Sequence, residues 1–171
     1  MNKRICFKSI GVIRTPYQRR EDAPRRPCAF PDVRATAKVW SRYQAGLRDL
    51  GGFSHVLLVY HLHLSQGCDL VCRPFVDPKR RRGVFATRAP RRPNPIGITV
   101  ARLLKVRKDG LEVSHVDMVD GTPLLDIKPY IPEVGEKERV RLGWLARVIP
   151  KLDGCFPQRN GTQSRGGAPR V

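Results

Sequence analysis

The clearest pattern in the chain runs from Phe53 to Leu64, where alternate positions differ in character. Successive side chains of a β-strand point to opposite faces, so this stretch predicts a strand with two distinct faces. One face is apolar and is expected to be buried: Val56, Leu58, Tyr60, Leu62 and Leu64. The other face carries side chains capable of chemistry between aliphatic ones: His55, Leu57, Val59, His61 and His63.

Other segments show weaker versions of the same signals. Strands are predicted at Ile5–Ile13 and Val33–Trp40, with a short helix over Ser41–Leu50 that Ser41 would cap and Gly51-Gly52 would end. Strands are also predicted at Ile96–Val106 and Leu111–Val116. Asp109-Gly110 between the last two is a strong hairpin signal, so they are expected to pair antiparallel.

These elements predict a mainly β fold in which an antiparallel sheet closes into a small barrel-like domain with one or two short helices. The length of 171 residues fits one domain, expected over residues 1–152, with a possible amphipathic helix around Trp144. From Asp153 onward Gly, Pro, Gln, Ser and Arg dominate, so residues 153–171 are expected to form a disordered basic tail.

Composition adds a partner class to this picture. The chain has 33 Lys and Arg against 15 Asp and Glu, a net charge of +18, which favours a polyanion such as nucleic acid as partner. No apolar stretch is long enough to span a membrane, and the start lacks a secretion signal, so a cytoplasmic protein is expected. The five cysteines are irregularly spaced and are interpreted as reduced thiols.

The positive charge is concentrated in two stretches. The loop over Arg14–Pro31 is basic and proline-rich, and Lys79–Arg92 contains seven basic residues and no acidic one. Such a run repels itself unless an anion lies nearby, although a solvated surface loop is the alternative. Next, the two prolines of Arg92–Gly97 predict a rigid turn that either shapes a ligand site or is purely structural.

Acidic residues cluster elsewhere. Asp117, Asp120 and Asp126 fall within ten positions, close to Lys128 and Tyr130. In a chain with so few carboxylates, this stretch indicates a polar site in a basic protein.

Five blocks, in this order, resemble the TsaA-like family, whose characterised members are the TrmO tRNA methyltransferases. The blocks are Ile10–Ile13, Phe53–His55, Gly83–Arg88, Arg92–Gly97 and Asp120–Tyr130. The resemblance implies a β-barrel-like, homodimeric enzyme that uses S-adenosylmethionine to methylate the exocyclic amine of threonylcarbamoyl-adenosine beside the tRNA anticodon. The absence of a G-x-G-x-x-G motif agrees with a cofactor site outside a Rossmann fold.

The resemblance also assigns cofactor contacts to positions of this chain. They fall in the basic loop, on the alternating strand and near the acidic stretch: Pro24, Arg25, Arg26, His61, Leu62, Arg88, Ile98, Ser114, His115, Val116 and Asp117. For tRNA phosphates, the expected contacts are Arg80, Arg81, Arg82, Arg91, Arg92 and Lys128.

Methyl transfer to an adenine nitrogen needs positioning and a modest base, because the carbamoyl group acidifies the remaining proton. The candidates for that base are Asp120, Asp126 and Tyr130. Two structural alternatives stay open: Asp120 as part of a hydrogen-bonded turn, and Asp126 with Lys128 as a structural ion pair.

Two further interpretations concern metal binding and the alternatives to an enzyme. His61, His63, Cys68 and Cys72 match no recognised zinc spacing, so no metal is expected. The alternatives to the enzyme are a non-catalytic tRNA-binding or RNA-binding module on the same small barrel, and a related enzyme that methylates another acceptor.

Overall fold

The structure, a computed structural model, describes residues 4–24, 33–131 and 143–147. These described residues include eight strands: β1 Gly11–Arg14, β2 Arg34–Val39, β3 His55–His61, β4 Val71–Cys72, β5 Arg82–Gly83, β6 Ile96–Arg107, β7 Gly110–Ser114 and β8 Thr122–Pro129. Short 3₁₀ helices lie at Ser41–Leu47, Leu50–Gly52, Val84–Ala86 and Gly143–Arg147.

Six of the strands form a closed barrel in the order β1-β2-β7-β6-β3-β8. All neighbouring pairs are antiparallel. The sequence prediction of a small antiparallel barrel is therefore confirmed. Closure pairs every strand on both sides, so the barrel presents no open edge.

The alternation in β3 follows the prediction up to His61, where the strand ends; beyond it Leu62 is only partly buried and Leu64 is 44% exposed, so their expected burial is wrong. Val56, Leu58 and Tyr60 are buried inside the barrel, and the residues between them are only partly buried. Inward residues of the other strands fill the same core: Ile13, Ala37, Ala101, Leu111, Val113 and Leu124. β6 and β7 form the predicted hairpin, with Arg107 opposite Gly110.

Three expectations need correction. The first strand begins at Gly11 rather than Ile5, and the side chains of Ile5 and Phe7 are 74% and 67% exposed, because pairing with β8 starts only at Gly11. The helix after β2 is a 3₁₀ helix with Trp40 at its N-cap and no capping side chain. β8 was not predicted, since two prolines and two outward charges interrupt its alternation.

Antiparallel closure places three connections at the same end of the barrel, here called the upper end. Within the described residues they are 15–24, 62–95 and 115–121, which follow β1, β3 and β7. The connection over residues 62–95, here called the basic excursion, contains the small β4–β5 sheet and the 3₁₀ helix Val84–Ala86. The segments that carry most of the sequence-predicted site residues thus converge on one end.

No helix among the described residues is long and apolar enough to cross a membrane. The expected amphipathic helix over Gly135–Leu152 lies mostly outside the described residues, where the part that is described is the 3₁₀ helix Gly143–Arg147. The expected tail over residues 153–171 also lies outside them.

Gly97 on β6 makes room for an aromatic ring. It faces Tyr60 across the β3–β6 ladder, and a Cβ at position 97 would overlap the Tyr60 ring. The close approach that the sequence suggested for Gly97 is therefore to a core side chain.

We predict that Gly97→Ala lowers the free energy of unfolding by about 1–3 kcal/mol, because the added methyl group displaces a buried ring. Chemical denaturation measures this change. Gly46→Ala is the matched control, since a Cβ there meets nothing within 4 Å. Equal stability of the two variants would contradict the packing described.

Candidate functional site

A partly buried polar cluster lies at the upper end of the barrel. The hydroxyl of Thr99 donates to Asp117 Oδ1 at 2.7 Å, and the Tyr60 hydroxyl donates to the same oxygen at 3.4 Å. Tyr60 and Thr99 also contact each other, with 3.0 Å between their hydroxyl oxygens. β3 and β6 thus hold the carboxylate that follows β7. Both bonds end on Oδ1, so Oδ2 has no side-chain donor among the described residues.

The acidity of this cluster is altered. Burial raises the pKa of Asp117, and the hydrogen bonds from Thr99 and Tyr60 and the charge of Arg88 oppose that rise only in part. The pKa of Tyr60 is also raised, mainly by burial and then by the charge of Asp117. Arg88 comes from the basic excursion, so its guanidinium is the cation that this cluster faces.

The backbone turns sharply to place Asp117. His115 has a φ of 60°, in the left-handed region that non-glycine residues rarely adopt, and its ring lies 3.1 Å from the Ser114 hydroxyl. The turn buries Val116 and Met118 on either side of Asp117. Because the Val116 side chain is fully buried, its expected cofactor contact can involve only its backbone.

Residues 15–24 cover the same end. Tyr17 is buried, and its hydroxyl has no hydrogen-bond partner among the described residues. Burial raises its pKa, and the charge of Asp117 adds to the effect. Pro24 is also buried, whereas Arg25 and Arg26 lie outside the described residues. This hydroxyl lies at the same end as the Asp117 carboxylate and is available to a bound water or polar ligand.

A second group of site residues lies on the outer wall of the barrel. Ile98 on β6 pairs with Val59 on β3, which pairs with Asp126 on β8. At about 4.8 Å per strand, Ile98 and Asp126 are about 10 Å apart at their Cα atoms. His61 ends β3 one outward position above Val59, and Leu62 follows it, with its N–H donating to Pro95 O at 2.7 Å.

The three candidate bases occupy different places. Asp120 accepts hydrogen bonds from the Thr15 N–H and the Arg14 guanidinium, both at 3.0 Å. Its carboxylate therefore joins the β7–β8 connection to the end of β1, a structural role that differs from the local turn considered from sequence. Asp126 forms an ion pair with Lys128 at 2.8 Å on the outer wall. The exposed Asp126 side chain raises the pKa of Lys128.

Tyr130 lies at the lower end. Its N–H donates to His55 O, and the two rings meet edge to face with centroids 6.5 Å apart. His55 and His61 begin and end β3, so about 20 Å separates Tyr130 from the upper end of that strand. Within one chain, the structure does not bring Tyr130 together with Arg88 or Asp117.

The predicted phosphate contacts differ in availability. Arg82 pairs with Asp77 at 3.0 Å and lies over the Trp144 ring, and Arg91 pairs with Asp69 at 2.7 Å. Arg80 and Arg81 are exposed, and Arg92 is partly buried.

Among the described residues, no three His, Cys, Asp or Glu side chains are grouped as metal ligands. The four residues considered from sequence all lie in the described part of the chain: His61, His63, Cys68 and Cys72.

Sequence reasoning missed Tyr60, Thr99 and Tyr17. Tyr60 was assigned to the dry face of β3, and it is indeed buried. The sequence did carry a signal for this cluster, because a tyrosine at a core position needs a hydrogen-bond partner for its hydroxyl. Thr99 falls on the inward phase of β6 and could have supplied one.

The fold and site together define a class of small closed β-barrel proteins that carry a partly buried carboxylate and a basic excursion at one end. Within that class, this chain belongs to the family of the tRNA-methyltransferase O N-terminal domain, which it matches over residues 12–136. The family resemblance inferred from the five sequence blocks is confirmed.

Relatives are similar over most of this chain. A probable S-adenosyl-L-methionine-binding protein from Pyrococcus abyssi is 44% identical over 149 residues, which are 87% of this chain and 80% of that protein. The tRNA (adenine(37)-N6)-methyltransferase of Escherichia coli is 40% identical over 139 residues, 74% of this chain. The crystal structure of TrmO from Pseudomonas aeruginosa aligns with a TM-score of 0.69 at 34% identity, over 82% of this chain.

These relatives differ in length. The chain spans 57% of the Escherichia coli enzyme and 62% of the Pseudomonas aeruginosa chain, but 80% of the Pyrococcus abyssi protein.

We predict that Asp117→Asn changes how stability depends on pH. The folded chain holds the Asp117 proton above the ordinary pKa of 3.8, so it binds more protons than the unfolded chain in that window. Unfolding free energy must then fall as pH rises through the window. Wild type is expected to lose stability relative to Asp117→Asn as pH rises from about 4 toward neutral, as denaturation at a series of pH values measures. A constant difference between the two proteins would refute the burial of a protonatable Asp117.

Proposed function

We propose that this chain is an S-adenosylmethionine-dependent tRNA methyltransferase that acts on the exocyclic amine of threonylcarbamoyl-adenosine next to the anticodon. Family membership supports the class of enzyme, and two relatives carry names for cofactor binding and for adenine methylation. The observation that carries the proposal is the preformed Asp117 carboxylate, held by Thr99 and Tyr60 beside Arg88.

The residues at the upper end fit the chemical groups of S-adenosylmethionine. The Asp117 carboxylate can accept hydrogen bonds from a cationic or hydroxyl group, and the Arg88 guanidinium suits a carboxylate. Ile98 is 58% exposed on the adjoining wall and offers an apolar surface to a purine ring. The orphaned Tyr17 hydroxyl supplies one further polar contact. Bound cofactor would supply a methyl group activated by a sulfonium.

The chain's own part in the reaction is to position the base and take its proton. Holding the two reacting atoms in line removes much of the entropic barrier. Asp126 is the best placed of the three candidate bases, since it shares a cross-strand row with Ile98, whereas Asp120 is held by hydrogen bonds from Thr15 and Arg14. In this proposal Asp126 accepts the N6 proton, and Lys128 holds the carboxylate and contacts a phosphate.

A homodimer is part of the proposal. Ile98, Val100 and Leu104 are exposed apolar residues on the outer face of β6. Exposed apolar residues grouped on one face commonly mark a protein interface. A second subunit on this face would bring its own Tyr130 or Lys128 toward the cofactor end of its partner, which one chain alone does not achieve.

The proposal also covers the tRNA-binding surface and the location of the protein in the cell. The tRNA backbone is expected on the basic excursion, with Arg80, Arg81 and Arg92 toward phosphates. We also propose a cytoplasmic location, because Cys6, Cys68 and Cys72 are unpaired among the described residues, as thiols are in a reducing compartment.

The first test measures cofactor binding by calorimetry together with transfer of labelled methyl to tRNA that contains threonylcarbamoyl-adenosine. Wild type is expected to bind and to transfer. Arg88→Ala is expected to weaken cofactor binding about 10- to 100-fold, as loss of a charged hydrogen bond does. Arg48→Ala removes the same charge at the lower end and should behave as wild type.

If wild type binds tRNA but gives no heat with the cofactor, the non-catalytic RNA-binding module replaces the enzyme. If methyl appears on another nucleoside, the enzyme acts on a different acceptor.

The second test addresses the base. Asp126→Asn is expected to lower kcat about 100-fold while leaving cofactor affinity nearly unchanged, since it removes the proton acceptor. Lys128→Met breaks the same ion pair but keeps the carboxylate, so it should raise KM for tRNA and spare kcat. Asp109→Asn, in the exposed β6–β7 turn, is the charge-matched control. Equal kcat losses for Asp126→Asn and Lys128→Met would show that the pair is only structural.

A further inference from the structure

Phe85 is an exposed aromatic side chain in the middle of the basic excursion. It is 78% exposed, the highest value among the large apolar side chains described. It occupies the centre of the 3₁₀ helix Val84–Ala86. Neither the cofactor contacts nor the candidate bases include it.

The turn that carries Phe85 is held on both sides. Val84 is buried, and its N–H donates to Leu70 O at 2.9 Å. The Thr87 hydroxyl donates to Val84 O at 2.9 Å and accepts from the Ala89 N–H at 3.2 Å. Trp144 donates from its indole to Ala86 O at 2.9 Å. An exposed ring on an ordered turn loses little conformational entropy when it meets a ligand.

The surroundings of Phe85 are strongly positive. Residues 62–95 contain eight basic residues and two acidic ones: Arg73, Lys79, Arg80, Arg81, Arg82, Arg88, Arg91 and Arg92 against Asp69 and Asp77. Both acidic residues already pair with arginines of the same segment. The segment therefore keeps a large positive charge around one ordered aromatic ring.

We propose that Phe85 stacks on an unpaired base of the tRNA anticodon loop while the neighbouring arginines contact its phosphates. This inference rests on the proposed function and identifies Phe85 as the residue that stacks on an RNA base. Aromatic stacking combined with a basic surface is how proteins bind single-stranded nucleic acid. A second copy of this chain suits the apolar face of β6 but is a poor occupant of the basic excursion, where eight basic residues outnumber two acidic ones and would repel another subunit of net charge +18.

The test measures binding of a tRNA anticodon stem-loop to the full chain over a series of salt concentrations. Phe85→Ala is expected to weaken binding about tenfold or more, as loss of one stacked base does, with an unchanged salt dependence. Phe85→Leu should weaken it similarly, and Phe85→Tyr should restore it. Arg81→Ala, in contrast, should lower the slope of log affinity against log salt by roughly 0.7–0.9, because it removes one phosphate contact.

Two controls separate this inference from folding and from the proposed function. Cofactor affinity of Phe85→Ala should equal that of wild type. Phe7→Ala removes another exposed phenylalanine, which precedes β1 at the lower end, and should leave RNA binding unchanged. A stem-loop with an abasic site at the stacked position lacks the base that Phe85 contacts. For that RNA, Phe85→Ala should bind with the same affinity as wild type.

If Phe85→Ala or Phe85→Leu binds the stem-loop as wild type does, the stacking assignment is overturned and the methyltransferase proposal stands. If Phe85→Ala changes the mass measured by sedimentation rather than RNA affinity, Phe85 is a subunit contact and the assignment is again overturned. If wild type itself binds no tRNA, the proposed function fails and this inference fails with it.

Discussion

The hydrogen bonds of one partly buried carboxylate organise the upper end of this barrel. Asp117 follows β7 after a left-handed residue, His115. Its Oδ1 accepts hydrogen bonds from the hydroxyl groups of Thr99 on β6 and Tyr60 on β3. Removing a carboxylate from water is costly unless hydrogen bonds and a cation compensate. Thr99 on β6, Tyr60 on β3 and Arg88 of the basic excursion provide part of that compensation, so two strands and two connections must come together for the site to form.

The barrel brings residues that are distant in sequence close together at one end. Because its strands alternate in direction, residues far apart in sequence leave the sheet at the same end, and the Asp120 carboxylate ties residues 15 and 120 together there. The same geometry separates other residues. Asp126 and Lys128 lie on the outer wall, and Tyr130 lies at the lower end, so the proposed base and the proposed cofactor contacts meet only along the β6–β3–β8 face.

Much of the barrel could be predicted from sequence, because β3, β6 and β7 alternate clearly and Asp109-Gly110 marks their hairpin. β8 could not, because its outward positions carry charges and prolines that resemble a turn. The family resemblance named His61, Ile98 and Asp117, but it could not show that two of them face the outer wall while the third is hydrogen-bonded at the upper end of the barrel. Tyr60 and Thr99 were missed because their polar role depends on a carboxylate from another connection.

The central claim is that the Asp117 cluster and the adjoining β3–β6 wall form one pocket for S-adenosylmethionine. Amide hydrogen exchange of the full chain, with and without saturating cofactor, tests it most directly. The account predicts slower exchange at residues 114–118, 59–64 and 84–90, with residues 40–54 at the lower end unchanged. Protection confined to residues 40–54 would contradict it.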